Sequence, residues 1–288
     1  MKGAERITPE MLRGMPLPDH GAGTDKDARG RVLVIAGSVE VPGAALLAGT
    51  AALRAGAGKV QIATCRSTAL PLSVAVPEAR VFGLPETPAG GILCERGEPC
   101  GAVLLGPGMM DPEATLALTA ELVAGLSEPT LVIDAEALVG LDTVREALCR
   151  RHGRTIITPH AGEMAKLMGI ERDAVADDPL AAARRVAEEY RMVVALKGGC
   201  TCIVTPQGEC WFYESGNIGL ATSGSGDTLA GVIAGLVARG AEPAQATAWG
   251  VYLHGQAGNR LAESRGSPGF LARELLAEIP IVMARLAE

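Results

Sequence analysis

The sequence predicts an α/β fold, with a mostly parallel central sheet covered by helices on both faces. Short apolar runs such as RVLVIA at 31–36 and AVLLGPG at 102–108 show no polar–apolar alternation, which is typical of strands buried on both faces in parallel sheets. Helical segments separate these runs, as in strand–helix–strand units. Each run also ends in glycine or polar residues, so ligand-binding groups are expected at the carboxyl ends of the strands.

The elements follow one another along the whole chain. The predicted strands are residues 31–36, 60–64, 102–108, 130–138 and 192–199, with a strand and loop over 154–163. A hairpin of 201–206 and 210–214 follows and turns at Gln207 and Gly208. The predicted helices are residues 43–58, 114–125, 142–151, 163–168, 179–190 and 228–238, with two or three closing helices after about residue 241. We see no linker and no internal repeat, so we expect one domain spanning residues 1–288.

Five predicted strand ends should face one crevice, because ligands bind beyond the carboxyl ends of parallel strands. These ends are Gly37-Ser38, Gly106-Pro107-Gly108, Asp134, Thr158-Pro159-His160 and Lys197-Gly198-Gly199.

Composition excludes several classes of protein. The net charge is -7 and the chain has only three Phe, three Tyr and two Trp, so neither a basic footprint nor stacking platforms for nucleic acid are present. The seven cysteines form no Cys-x-x-Cys pair, which speaks against a disulfide framework or a zinc site. The N-terminus lacks the apolar segment of a signal peptide, so we expect a cytoplasmic protein that binds neither membranes nor nucleic acid.

The most informative stretch is a glycine-rich turn, Ser223-Gly224-Ser225-Gly226, which leads directly into Asp227 and a helix of small residues. Unpaired amides at a helix start favour a phosphate, and glycine lets the phosphate approach the backbone. Asp227 could accept a proton from a substrate hydroxyl that attacks this phosphate. The alternative is that Ser225 or Asp227 merely caps a buried helix. Neither a Walker A loop nor a G-x-G-x-x-G follows a strand.

Several motifs together resemble one known family. They are Ala36-Gly37-Ser38 with Pro42-Gly43-Ala44-Ala45, Gly106-Pro107-Gly108, Thr158-Pro159-His160-Ala161-Gly162-Glu163, Lys197-Gly198-Gly199-Cys200-Thr201 and Gly224-Ser225-Gly226-Asp227. With these motifs in this order, the chain resembles the ADP- or ATP-dependent NAD(P)H-hydrate dehydratases of the ribokinase-like superfamily. The resemblance spans about residues 5 to 280. The resemblance implies a three-layer, ribokinase-like fold.

The resemblance also implies an activity, which is the repair of hydrated NADH or NADPH. The C6 hydroxyl of the hydrated nicotinamide ring is phosphorylated by ADP (or ATP) and phosphate is then eliminated, with Mg²⁺ offsetting the charge of the nucleotide. Many relatives carry an additional epimerase domain, for which 288 residues leave no room. We therefore expect a homotetrameric enzyme that handles the S epimer and depends on a separate epimerase.

The family's functional residues map onto this chain position by position. Ala44, Gly108, His160 and Asp227 match contacts to the hydrated dinucleotide. The nucleotide site matches Lys197, Gly198, Gly199, Cys200, Thr201 and Gly226, and the catalytic group is Asp227 with the backbone of Gly224, Ser225 and Gly226.

Some of these assignments have alternatives on the residues alone. His160 is equally compatible with a structural role, and Asp134 and Glu136 either hold a hydrated magnesium ion or cap the following helix; Glu163 is a further metal candidate. The family usually has Thr at the position of Ser225, which is expected to contribute only its amide, and Asp at that of Glu136.

Two other functions compete with dehydration. A small-molecule kinase of the same superfamily would use the glycine–Asp227 turn for ordinary phosphoryl transfer to a stable product. A nucleotide-binding regulator would bind without turnover, although the presence of Asp227 beside the glycines argues against it.

Overall fold

A computed structural model describes residues 3–21, 23–87, 100–214 and 217–287. They contain a ten-stranded sheet in the order β1-β10-β9-β8-β7-β6-β5-β2-β3-β4. The strands are β1 (Glu5–Arg6), β2 (Arg31–Ile35), β3 (Lys59–Cys65), β4 (Ala79–Leu84), β5 (Ala102–Leu105), β6 (Thr130–Ile133), β7 (Thr155–Ile157), β8 (Val193–Leu196), β9 (Cys200–Val204) and β10 (Cys210–Glu214).

The sheet is parallel from β4 through to β8. β9 runs antiparallel to both β8 and β10, which confirms the predicted hairpin. Gly208 closes that hairpin in a left-handed conformation, φ +89°, and its N–H donates to the Thr205 carbonyl at 2.9 Å. The five polar strand ends therefore follow β2, β5, β6, β7 and β8, which are neighbours in the sheet.

Helices cover both faces of the sheet. They are α1 (Pro9–Gly14), α2 (Gly43–Arg54), α3 (Arg66–Ala75), α4 (Pro112–Gly125), α5 (Arg145–Cys149), α6 (Ala161–Met168), α7 (Arg172–Asp177), α8 (Pro179–Tyr190), α9 (Ser225–Ala238), α10 (Pro243–Arg265) and α11 (Ala272–Ala287). Along β2, Val32 and Val34 join the core formed with α2, α9, α10 and α11, whereas Leu33 and Ile35 join the core formed with α4, α6 and α8. The predicted three-layer α/β fold is thus confirmed.

The sequence prediction missed several elements near the sheet edges. β4 is partly exposed along its length, so it lacks the continuous apolar run of the central strands. α3 contains Pro71, which normally argues against a helix, and α1, β1 and α7 are short. The predicted helix at 142–151 is a 3₁₀ turn, Leu141–Val144, followed by the five-residue helix α5.

Two further sequence expectations concern the thiols and the membrane. Cys94 lies outside the described residues, and the other six cysteines are free thiols. Within the described ranges, the helices are too short or too polar to cross a bilayer.

The small residues of α9 allow it to pack closely against α2. A β-carbon on Gly231 would lie 2.3 Å from the Ala48 carbonyl oxygen, and one on Gly235 would lie 2.5 Å from that of Ala52. Both glycines are buried. This contact fixes the axis of α9, whose first turn reaches the carboxyl edge of the sheet.

Gly231→Ala should lower the free energy of unfolding by about 1–3 kcal/mol, because the new methyl group must push α2 away. The loss should occur although alanine has the higher helix propensity. Urea unfolding of wild type, Gly231→Ala and a control, Gly125→Ala, measures it. A β-carbon on Gly125 meets no atom within 4 Å, so the control should be as stable as wild type, and equal stability of Gly231→Ala would contradict the packing account.

Candidate active site

The polar strand ends converge at one edge of the sheet, as the sequence predicted. Gly37 N–H donates to the Pro107 carbonyl at 2.7 Å, which ties the end of β2 to the end of β5. Thr158 Oγ1 and Lys197 Nζ each donate to Asp134 Oδ1 at 2.8 Å, which joins the ends of β7 and β8 to that of β6. The Lys197–Asp134 bond alone links residues 63 positions apart in the chain.

Asp134 and Lys197 form an ion pair at this edge of the sheet. Asp134 is 1% exposed, and its side chain makes no capping bond to the 3₁₀ helix Ala135–Leu138 that follows, so the helix-cap alternative is wrong. Burial disfavours the charged form of Lys197, but Asp134, Glu163 and Asp227 outweigh burial and raise the pKa of this lysine. Lys197 therefore stays an ammonium beside the crevice.

The first turn of α9 lies against this ammonium. Gly224 precedes the helix in the left-handed conformation, φ +85°. Ser225 N–H donates to the Thr222 carbonyl at 3.2 Å, so the amide expected to contact the phosphate is used within the turn. Gly226 and Asp227 are the second and third helical residues, whose amides have no acceptor within the helix. A β-carbon on Gly226 would lie 3.2 Å from Lys197 Nζ, so an anion held by that lysine would also meet these amides.

Asp227 is half-buried in the same turn. Burial raises its pKa to about 6, with the negative charges of Asp134 and Glu163 adding to the effect and Lys197 opposing it. A carboxylate with this proton affinity is ionised at neutral pH and accepts a proton more readily than an ordinary aspartate. These are the properties of a general base.

His160 has a structural role and also exposes one nitrogen. It caps α6: His160 Nδ1 accepts hydrogen bonds from the amides of Gly162 at 2.9 Å and Glu163 at 3.2 Å, and Glu163 Oε2 accepts from the His160 amide at 2.7 Å. Because Nδ1 is an acceptor, the neutral ring carries its proton on Nε2. The side chain is 59% exposed and its Nε2 lies 3.5 Å from Glu163 Oε1, so Nε2–H faces this carboxylate and can also donate to a ligand while Nδ1 caps the helix.

A cavity of about 770 Å³ opens beside the first turn of α9, which is within the usual range for a small-molecule site. Its polar side includes Lys197 and Gly226, and its apolar side includes Leu220, Leu229 and Val251. Of the residues predicted to form the nucleotide site, those lining the cavity are Lys197, Gly198, Gly199, Thr201 and Gly226.

Comparison with known proteins identifies the family. A family model described as NAD(P)H-hydrate dehydratase matches residues 32–281. The chain belongs to the NAD(P)H-hydrate dehydratase family. The resemblance drawn from the motifs is therefore confirmed.

Individual dehydratases are similar over nearly the whole chain. An ADP-dependent (S)-NAD(P)H-hydrate dehydratase of Xanthomonas campestris is 45% identical, covering 97% of this chain and 96% of that protein. A bifunctional NAD(P)H-hydrate repair enzyme of Moorella thermoacetica is 41% identical over 94% of this chain. This chain spans only 52% of that bifunctional protein.

Solved structures give the same result. The crystal structure of the Bacillus subtilis ADP/ATP-dependent NAD(P)H-hydrate dehydratase, co-crystallised with ATP/Mg²⁺, superposes with a TM-score of 0.86 at 32% identity, covering 99% of this chain and all of that one. A hydroxyethylthiazole kinase of Pyrococcus horikoshii has a TM-score of 0.59 at 17% identity, which reflects the shared fold alone.

Ala44 and Gly108, which the family resemblance predicts to contact the dinucleotide, lie against each other here. Gly108 has φ +66°, and a β-carbon on it would lie 2.5 Å from Ala44 Cβ. Ala44 is 2% exposed, so it packs beneath Gly108 and any contact with a ligand would be made at the surface of Gly108. Cys200 lies in β9 opposite Glu214, and the cavity lining passes from Gly199 to Thr201 without it.

The three metal candidates do not form a protein cage in this dehydratase. Asp134 Oδ1 is engaged by Lys197 and Thr158, Glu163 Oε2 accepts from a backbone amide, and Glu136 is half-buried on the 3₁₀ helix. Among the residues that the structure describes, no three His, Cys, Asp or Glu side chains are grouped to hold a metal ion. A Mg²⁺ ion at this site would therefore have water molecules and phosphate oxygens as most of its ligands.

The sequence analysis did not identify His254, halfway along α10. Its Nε2 lies 2.9 Å from Ser225 Oγ, and both side chains are buried. Burial lowers the pKa of His254 to about 4, so the ring is neutral at physiological pH. A single histidine inside a helix of small and apolar residues gives no sequence signal, because its partner is 29 residues away.

Proposed function

We propose that this chain dehydrates the hydrate of NADH or NADPH with ADP as phosphoryl donor and thereby repairs the reduced cofactor. The observation that carries the proposal is the position of Asp227: a half-buried carboxylate with a raised pKa, in the first turn of α9, beside Gly226 and Lys197. The adjacent cavity can accept a nucleotide, and the family's activity agrees with this chemistry.

The reaction follows from this geometry. Asp227 takes the proton of the C6 hydroxyl, whose oxygen attacks the terminal phosphorus of ADP and releases AMP. The amides of Gly226 and Asp227 and the ammonium of Lys197 stabilise the charge on the transferring group. The ring nitrogen then expels phosphate from C6, and loss of the C5 proton restores the C5=C6 double bond. Mg²⁺ bound by the nucleotide would offset the phosphate charge.

His160 would assist by donating from Nε2–H to the hydrated dinucleotide. It is unsuited to act as a base, because its Nδ1 lone pair is used by the amides of Gly162 and Glu163. The dinucleotide would lie on the surface of Gly108, which Ala44 supports from beneath.

An absorbance assay tests the function. Purified protein, NADH hydrate and ADP should regenerate the dihydropyridine absorbance, with ATP measured in parallel. The competing small-molecule kinase would consume nucleotide without restoring absorbance, and a regulator would bind nucleotide without any turnover.

The pH dependence reports the proposed base. Because Asp227 must be ionised to accept a proton, kcat/KM should fall as the pH drops through about 6, the pKa of this carboxyl group, and should level off above neutral pH. Glu163→Gln removes one of the charges that raise this pKa, so its midpoint should move to lower pH. A profile that is flat between about pH 5 and pH 8, a range that spans the raised pKa of about 6 but not the ordinary value for aspartate, would contradict a base with this raised pKa.

The substitution His160→Asn distinguishes the role of this residue in capping α6 from its proposed role in binding the hydrated dinucleotide. Asparagine is a good helix cap, so stability should change little, whereas the donor at Nε2 is lost. We expect KM for NADH hydrate to rise about 10-fold, the effect of one lost hydrogen bond, with a smaller change in KM for ADP. Unchanged kinetics would show that His160 only caps α6.

The homotetramer, the cytoplasmic location and the functional link to a separate epimerase remain predictions of the family resemblance.

A further inference from the structure

His254 and Ser225 form a buried polar pair between α10 and α9, and both line the cavity beside the first turn of α9. Elsewhere along this contact the helices touch through carbon atoms: a β-carbon on Gly250 would lie 2.5 Å from Ile233 Cγ1. At the pair, Nε2 and Oγ are 2.9 Å apart, and the residues are 8% and 4% exposed. An aliphatic side chain at position 254 would fill this space without a polar contact, whereas the imidazole has Ser225 Oγ as a partner.

The pair is located at the start of α9, where glycines flank Ser225 on both sides. Ser225 stands between Gly224, which is in the left-handed conformation, and Gly226, and glycine permits many alternative backbone conformations. Further along, close packing of Gly231 and Gly235 on α2 fixes the helix. The bond from His254 supplies a side-chain anchor at the first residue of α9.

The neutral state of His254 suits this role. Burial and the nearby charge of Lys197 disfavour its protonation, so at neutral pH the ring pairs with a hydroxyl without placing a second cation beside Lys197. Ser225 is followed directly by Gly226 and Asp227, so a shift of Ser225 moves the amides and the carboxylate together.

We propose that His254 is a positioning residue for phosphoryl transfer: its hydrogen bond to Ser225 holds the first turn of α9 so that the Gly226 and Asp227 amides and the Asp227 carboxylate meet the same phosphoryl group. The inference rests on the proposed function of this turn. It assigns to residue 225 a side-chain role in addition to its place in the turn.

Two substitutions at position 254 test the proposal. His254→Leu removes the bond and should lower kcat by about 10-fold or more, since small displacements of reacting groups are costly, with a smaller effect on KM for ADP. His254→Gln places an amide near the position of Nε2 and should recover most of that kcat. The loss of kcat in His254→Leu should not be accompanied by a comparable fall in the thermal unfolding midpoint. As a control, Tyr252→Phe, which removes a hydroxyl group elsewhere on α10, should leave kcat unchanged.

A double-mutant cycle identifies the partner. If the two side chains act through one bond, Ser225→Ala should lower kcat similarly, and His254→Leu combined with Ser225→Ala should be no worse than the poorer single variant. Multiplicative losses, or full kcat in His254→Leu, would overturn the proposal.

Amide hydrogen exchange gives a readout that does not depend on turnover. The amides of Ser225 and Thr228, which donate to the Thr222 and Gly224 carbonyls, should exchange faster in His254→Leu than in wild type and should recover in His254→Gln. If wild type itself fails to regenerate NADH, the proposed function fails, yet the exchange experiment still decides the role of His254. Unchanged exchange in the Leu variant would refute that role.

Discussion

Asp227→Asn should lower kcat for regeneration of NADH by about 10²- to 10⁴-fold, the usual contribution of a positioned general base. Asparagine has nearly the same shape but cannot take the proton of the C6 hydroxyl. The turn should persist, because Gly224, Ser225 and Gly226 are unchanged. Absorbance recovery at saturating ADP measures the loss.

Two controls show that such a loss of kcat comes from the missing proton acceptor and not from lost nucleotide binding or from removal of any carboxylate. Nucleotide binding, measured by calorimetry, should survive in Asp227→Asn, because Lys197 and the helix amides remain. Asp173→Asn, which removes an exposed carboxylate on α7, should be fully active. Retention of more than about a tenth of wild-type kcat by Asp227→Asn would contradict the role of base, given the size of effect expected for such a group.

Gly226→Ala should cost about 10²-fold or more in kcat/KM, the scale seen when a stabilising donor at an anion site is lost. The new methyl carbon would lie 3.2 Å from Lys197 Nζ, and this ammonium has little freedom to move because it is bonded to Asp134 at 2.8 Å. The methyl group would also stand where the phosphoryl group must approach the helix amides. Steady-state kinetics with varied ADP measure the effect.

Stability provides the control for this substitution. Alanine is the better helix former by about 1 kcal/mol, and this gain opposes the strain of the new contact with Lys197 Nζ, so the free energy of unfolding of Gly226→Ala should stay within about 1 kcal/mol of wild type. The Gly125→Ala variant, with open space around its β-carbon, should retain both stability and activity. A fully active Gly226→Ala enzyme would show that no anion approaches this part of the backbone.

The sequence was sufficient to predict the central strands and the edge where the site lies. Strands such as β2 and β5 are apolar throughout because both faces are buried, and their glycine ends mark where a ligand can approach. The outer elements were missed for the opposite reason: β4 is partly exposed, so its composition does not distinguish it from a loop.

The pairing of charges within the site could not be predicted. Lys197 was expected to face a phosphate, and the structure shows that it also neutralises Asp134, from which it is separated by 63 residues. Likewise, nothing in the local sequence shows that His160 Nδ1 caps α6 or that His254 reaches Ser225. Such contacts depend on how the strands and helices pack and leave no periodic pattern in the chain.

Oxygen tracing tests the central claim most directly. NADH hydrated in ¹⁸O-water carries the label in its C6 hydroxyl, and the enzyme would then be supplied with this hydrate and unlabelled ADP in ordinary water. If Asp227 activates that hydroxyl to attack the terminal phosphorus of ADP and phosphate is then expelled from C6, each inorganic phosphate released should contain one ¹⁸O atom. Unlabelled phosphate, with the label recovered in water, would contradict phosphorylation of the hydroxyl.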